Sequence, residues 1–166
     1  MVKVKSLVVA LLVLGVGIFA FFYFSPGEER KVKKQFRSLS EYVAKASEEN
    51  ALTVAAKAKK IGALFADPSE IKALGHFLSG RHSREEITGH ALRGRSYFVK
   101  LSLTFYDVEV TFPEREIAKV HVTARLEGRS TFNENVDEVR EMECVLRKVD
   151  GQWLFSDLEV IEVLKK

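Results

Sequence analysis

Cysteine is nearly absent from this chain of 166 residues: the one thiol, Cys144, cannot form an internal disulfide in any compartment. Its distance from the N-terminus also excludes a lipid-modified cysteine anchor. Prolines number three, and 46% of the residues are hydrophobic, so neither a disordered chain nor a collagen-like repeat fits. No strong charge imbalance exists either. Removing Lys3 and Lys5 from the 26 basic residues leaves 24 against 23 acids, all of which lie beyond residue 24. A nearly neutral surface lacks the drive for non-specific nucleic-acid binding, and no aromatic platform is interleaved with the basic residues, so no nucleic-acid partner is expected.

What the chain does have is one long hydrophobic run at its start. Residues 7–24 are 18 consecutive apolar, glycine or tyrosine residues. At ~1.5 Å per residue they span roughly 27 Å, enough to cross a bilayer core of about 30 Å. Phe21, Phe22, Tyr23 and Phe24 stand where a cleavable signal needs small residues, so the segment is read as an uncleaved signal anchor, with Leu7, Leu14, Phe21 and Phe24 in lipid. Residues 1–25 are therefore a membrane anchor and residues 26–166 a folded domain. Lys3 and Lys5 compete for orientation with Arg30, Lys31, Lys33, Lys34 and Arg37. The signal-anchor pattern keeps the tail in the cytoplasm and exports the domain to the periplasmic or extracellular side. The five basic residues beyond the run either suit anionic headgroups, at about 1 kcal/mol per charge, or are ordinary exposed positions around an apolar helix stripe.

Beyond the anchor, Ser25-Pro26-Gly27-Glu28 reads as a capping box opening a helix whose stripe is Val32, Phe36, Leu39, Val43 and Ala46. The register fails near Asn50 and restarts as Val54, Ala58, Ile61 and Phe65, a second helix ended by Asp67-Pro68. Residues 67–82 are compatible with a short helix or a short strand. Ser83-Arg84-Glu85-Glu86 is another capping box, starting a helix expected to end by Gly94.

From Tyr97 the period becomes two. Tyr97, Val99, Leu101, Leu103 and Phe105 form one apolar row, which changes parity at Tyr106-Asp107 and continues as Val108, Val110 and Phe112, the mark of an inserted residue. Further rows follow: Ala118 to Leu126; Met142, Cys144 and Leu146; then, after a hairpin signal at Asp150-Gly151, Trp153 and Phe155. A second slip at Ser156-Asp157 precedes Leu158 and Val160. Helices followed by four long strands predict an α+β domain: three helices packed on a strongly bent antiparallel sheet.

This element order, the irregular long strand through Leu101-Ser102-Leu103-Thr104-Phe105-Tyr106-Asp107-Val108, and the closing Leu146-Arg147-Lys148-Val149-Asp150-Gly151-Gln152-Trp153-Leu154-Phe155 resemble the nuclear-transport-factor-2-like superfamily. This is the cystatin-like cone shared with ketosteroid isomerase and scytalone dehydratase. The resemblance covers residues 26–166 and implies a pocket between the first helix and the concave sheet face. On that reading Phe36, Leu39, Val43, Tyr97, Leu101, Phe105, Val122, Met142, Cys144 and Trp153 line the pocket. Such a lining has no carboxylate or imidazole in a clear inward row, as proton transfer would require. Only Asp107 and Asp157, at the two slips, could turn inward, and both are more simply bulge residues.

The spacings of His76, His82 and His90 do not bring them onto one helical face, so no metal site is expected, and no cofactor motif is present. Arg81, Arg84, Arg93 and Arg95 read as a solvated helix face interrupted by Glu85 and Glu86. The functional expectation is a membrane-tethered, non-catalytic interaction or scaffold module of a cell-envelope assembly, meeting a protein partner or a second copy of itself. The alternative is a pocket for an apolar or lipid-like small molecule, with acid/base chemistry by Asp107 or Asp157.

Overall fold

The computed structural model of the chain describes residues 27–73 and 79–161. The predicted anchor, including Leu7, Leu14, Phe21 and Phe24, lies outside the described residues; among those described, no helix is long and apolar enough to cross a membrane. The chain divides into two compact units, Met1–Lys31 and Val32–Lys166. Of the first, residues 27–31 are described and are helical.

Helix α1 (27–43) turns Val32, Phe36 and Leu39 into the core, leaves Val43 half-buried, and stops before the exposed Ala46 that the stripe had predicted on it. Helix α2 (Ala51–Ala63) begins where the register broke: the Asn50 side chain accepts the Thr53 N–H at 2.8 Å, satisfying one of the orphan amides of the first turn. Its buried residues are Val54, Ala58, Ile61 and Gly62. Phe65, predicted on this helix, instead opens strand β1 (Phe65–Lys72), and the ambiguous stretch that follows is completed by β2 (Gly80–His82).

Helix α3 (Arg84–Tyr97) carries the capping box, with Ser83 accepting from the Glu86 N–H and Glu86 accepting from the Ser83 N–H at 2.7 Å. It runs through Gly94, which does not adopt the positive φ that would end it, and so includes Tyr97. The four long strands are β3 (Phe98–Glu114), β4 (Ile117–Ser130), β5 (Asn135–Val149) and β6 (Gln152–Ile161).

The six strands among the described residues form one sheet in the order β2-β1-β6-β5-β4-β3. It is mixed, not purely antiparallel as the strand pattern predicted, because β1 pairs parallel to β6. Alternation within a strand carries no information about a partner so far along the chain. Both parity slips are irregularities of the ladder. Against β4 the pairing skips between Tyr106 and Glu109, with Asp107 at φ 52°, and against β5 it skips Ser156. Asp150 and Gly151, at φ 48° and 79°, make the two-residue turn with positive φ at both positions that matches strand twist.

The irregularities curl the sheet, and ring contacts measure the result. Phe112 on β3 and Trp153 on β6 are three strand steps apart, about 14 Å in a flat sheet. Their centroids lie 5.8 Å apart. The Phe36 ring meets Phe105 at 5.1 Å and Phe155 at 5.0 Å, both edge-on, so α1 lies inside the curl. Truncating so central a ring to alanine costs on the order of 3–5 kcal/mol.

Candidate functional site

The concave side of the sheet and the helices packed on it share one apolar cluster. Phe36, Leu39, Val122, Cys144 and Trp153 are buried members of it, and Val43, Phe105 and Met142 are half-buried members packed against it. Leu101 is also buried, at the point where its backbone pairs with Lys45. Tyr97 alone stands outside the row assigned to it. As the last residue of α3 it is 41% exposed, and its hydroxyl donates to Glu134 at 3.1 Å.

Burial across the concavity is uneven. The inward residues of β4 (Ala118, Val120, Val122, Ala124) and Cys144 and Leu146 of β5 are sealed. On β3, however, Leu103, Phe105, Val108, Val110 and Phe112 all remain partly exposed while touching the same cluster. The apolar cluster is thus sealed over β4 and β5 and partly exposed along β3, at the edge of the sheet. Its polar complement is small. Burial pushes the Cys144 thiol up to about 12, with the charge of Glu143 adding to the effect, so it is a protonated, unreactive group at neutral pH.

Neither aspartate candidate joins this cluster. Asp107 is exposed on its bulge. Asp157 lines a separate hollow of about 380 Å³ together with Glu70, Arg81 and Arg147. The hydroxyl of Ser156 lies 2.6 Å from the Asp157 carboxylate and 3.1 Å from the Val145 carbonyl, and can donate to either.

One group that the sequence placed in solvent is buried. Arg95 is 1% exposed, and its Nη1 lies within donating distance of the carbonyls of Tyr42 and Val43 (2.6 Å), at the end of α1, and of Ala44 (2.9 Å) just past it, which also accepts from Lys57 at 3.1 Å. Its Nη2 donates to Glu49, which also binds Lys57 at 2.7 Å. Lys45 Nζ in turn donates to the Arg95 and Phe98 carbonyls at 2.8 and 2.6 Å. Burial pushes the Glu49 carboxyl up, but the Lys57 hydrogen bond and the charges of Arg95 and Lys57 outweigh it and hold the group below its ordinary range. No local pattern distinguishes Arg95 from Arg93; what separates them is that residue 95 falls on the helix face turned to the end of α1.

His76 lies outside the described residues, whereas His82 and His90 stack edge-on at 5.2 Å. Burial, together with the charges of Arg93 and His82, lowers the His90 pKa against an opposing contribution from Glu86. Among the described residues no three histidine, cysteine or carboxylate side chains are placed to hold a metal ion.

Solved structures share this architecture. A candidate scytalone dehydratase from Novosphingobium aromaticivorans is 18% identical, with a TM-score of 0.68 over 84% of this chain and 87% of that one. The fold is nuclear-transport-factor-2-like. A protein of that description with a cystatin-like fold, also from Novosphingobium aromaticivorans, has a TM-score of 0.66 at 12% identity, covering 86% of each chain. A Catenulispora acidiphila protein in complex with S-DNPA has a TM-score of 0.61 at 12% identity, covering 81% of this chain and 92% of its own. No family model matches the sequence. No curated protein matches it either. A nuclear-transport-factor-2-like cone hosts unrelated activities, so function is argued from the site.

Proposed function

We propose that the cone binds an apolar or lipid-like small molecule against the partly exposed apolar row of β3. The observation that carries this reading is the contrast in burial. The inward residues of β4 and β5 are sealed, whereas a row of five apolar residues on β3 stays partly exposed above the same cluster. Apolar concavities of this kind are where small ligands bind. Support also comes from the Catenulispora acidiphila protein of the same fold, which is in complex with S-DNPA. The scaffold reading draws no such support, and the ligand reading takes its place. In the same proposal, residues 1–25 tether the domain to a bilayer on the exported side, where an apolar ligand partitions.

Acid/base chemistry by Asp107 or Asp157 is not part of the proposal, since neither carboxylate belongs to the apolar cluster. The test uses the full chain and the fluorescence of Trp153, its single tryptophan. Titration with a medium-chain fatty acid should change Trp153 emission saturably, and native mass spectrometry should find an apolar molecule carried through purification. An emission unmoved by fatty acids, together with a ligand-free mass, overturns the reading.

A further inference from the structure

The hollow around Asp157 arises from a mismatch in the parallel β1–β6 ladder. Phe65 pairs with Phe155 and Glu70 with Asp157, so residues 66–69 of β1 face Ser156 alone on β6. Four residues cannot lie flat against one, and β1 stands off, leaving a hollow of about 380 Å³. That volume is at the lower end for small-ligand sites. The hollow lies on the sheet face turned away from the apolar cluster. Cys144 and Leu146 point into the cluster, and Arg147, next in the strand, points the opposite way and lines the hollow.

Its lining carries both signs of charge. Arg147 reaches it from β5, Arg81 from β2, Glu70 from β1 and Asp157 from β6. Glu70 and Arg81 are directly opposed in the β1–β2 pair, yet no ion pair joins any of the four charges to another described residue. Two hydroxyls complete the lining. Ser156 is engaged with Asp157 and the Val145 carbonyl. Ser69 is 3% exposed, and its hydroxyl has no hydrogen-bond partner among the described residues. Buried hydroxyls are paired in the great majority of cases, so a buried one left over beside a polar hollow points to a missing polar group.

We propose that this outer hollow is a second ligand site, independent of the cone, for a small zwitterion of the free α-amino-acid class. The charge balance selects that class. A simple anion attracted by Arg81 and Arg147 meets Glu70 and Asp157, and a simple cation meets the reverse. A molecule with a carboxylate and an ammonium group a few ångströms apart satisfies both pairs, the guanidiniums taking the carboxylate by charge-assisted hydrogen bonds.

The experiment titrates the full chain with each protein amino acid singly by isothermal calorimetry, with acetate, methylammonium and inorganic phosphate as single-sign probes. At least one amino acid should bind saturably with a Kd on the order of 1 mM or tighter. Arg147→Ala and Asp157→Asn should each weaken it at least about tenfold while leaving the thermal midpoint unchanged; Asp157→Asn keeps side-chain size, so a lost fold cannot masquerade as lost binding. Every single-sign probe should bind at least about tenfold more weakly than the best amino acid. Three results overturn the proposal: no amino acid saturates, the two variants bind as the parent does, or phosphate or acetate binds as tightly as the best amino acid. Fatty-acid binding in the cone, read by Trp153, is a separate outcome.

Discussion

Arg95→Met is the substitution that most directly tests how the domain is held together. Methionine fills much of the same space, so the loss falls on polar partners. The carbonyls of Tyr42 and Val43 and one oxygen of the Glu49 carboxylate lose this donor, while the Ala44 carbonyl keeps Lys57 at 3.1 Å, in a region where Arg95 is 1% exposed and Glu49 8%. Removing one member of a buried pair costs on the order of 3–5 kcal/mol, because the other charge stays buried with fewer partners. For a chain of this size each kcal/mol moves the thermal midpoint by roughly 3 °C, so a fall of about 10–15 °C is expected.

Lysine at position 95 keeps the charge but not the fork that spans α1 and Glu49, and should recover less than half of the loss. A double-mutant cycle of Arg95→Met with Glu49→Gln, followed by chemical denaturation, should give a coupling of about 1–3 kcal/mol. A midpoint lowered by less than about 3 °C in Arg95→Met, or a coupling near zero, would refute the claim that this guanidinium ties α1 to α3.

The remaining predictions concern three other sites. The Glu49 carboxyl is held below its ordinary value of 4.5 in the folded state, so its contribution to stability is complete above pH 4.5 and is lost as the pH falls through the lower folded value. Glu49→Gln should therefore flatten the acid limb of a stability-against-pH curve, and an unchanged limb would count against the network. At Gly62 an added Cβ meets the Thr88 hydroxyl at 2.1 Å and the Arg84 carbonyl at 2.9 Å. Gly62→Ala should thus push α2 off α3 and cost about 1–3 kcal/mol in urea unfolding, despite alanine's better helix propensity; a stabilised variant would contradict that close approach. Cys144, 2% exposed and with its pKa raised to about 12, should resist iodoacetamide at neutral pH until denaturant is added, and fast labelling of the folded chain would show that the core opens.

Local chemistry in the sequence determined the helices, the four long strands and both ladder irregularities. A capping box, a period of two and a change of parity are each written in neighbouring residues, and the Ser83 cap and the Asp107 bulge stand where those signals put them. The apolar composition of the concavity was legible for the same reason, since alternation assigns every second residue to one face.

Tertiary structure decided what depends on elements distant in the chain. Phe65 continues a helical stripe by spacing, yet the parallel pairing of β1 with β6 draws it into the sheet. Tyr97 alternates with its neighbours like a strand residue, but α3 extends through it because Gly94 stays helical. Arg95 looks like its exposed neighbour Arg93 until the end of α1 is set against it, and the charges of Glu70, Arg81, Arg147 and Asp157 meet only because β1 stands off from β6. Pairing, capping and desolvation across the fold are set by which surfaces meet, and the period of a single segment carries no record of its partner.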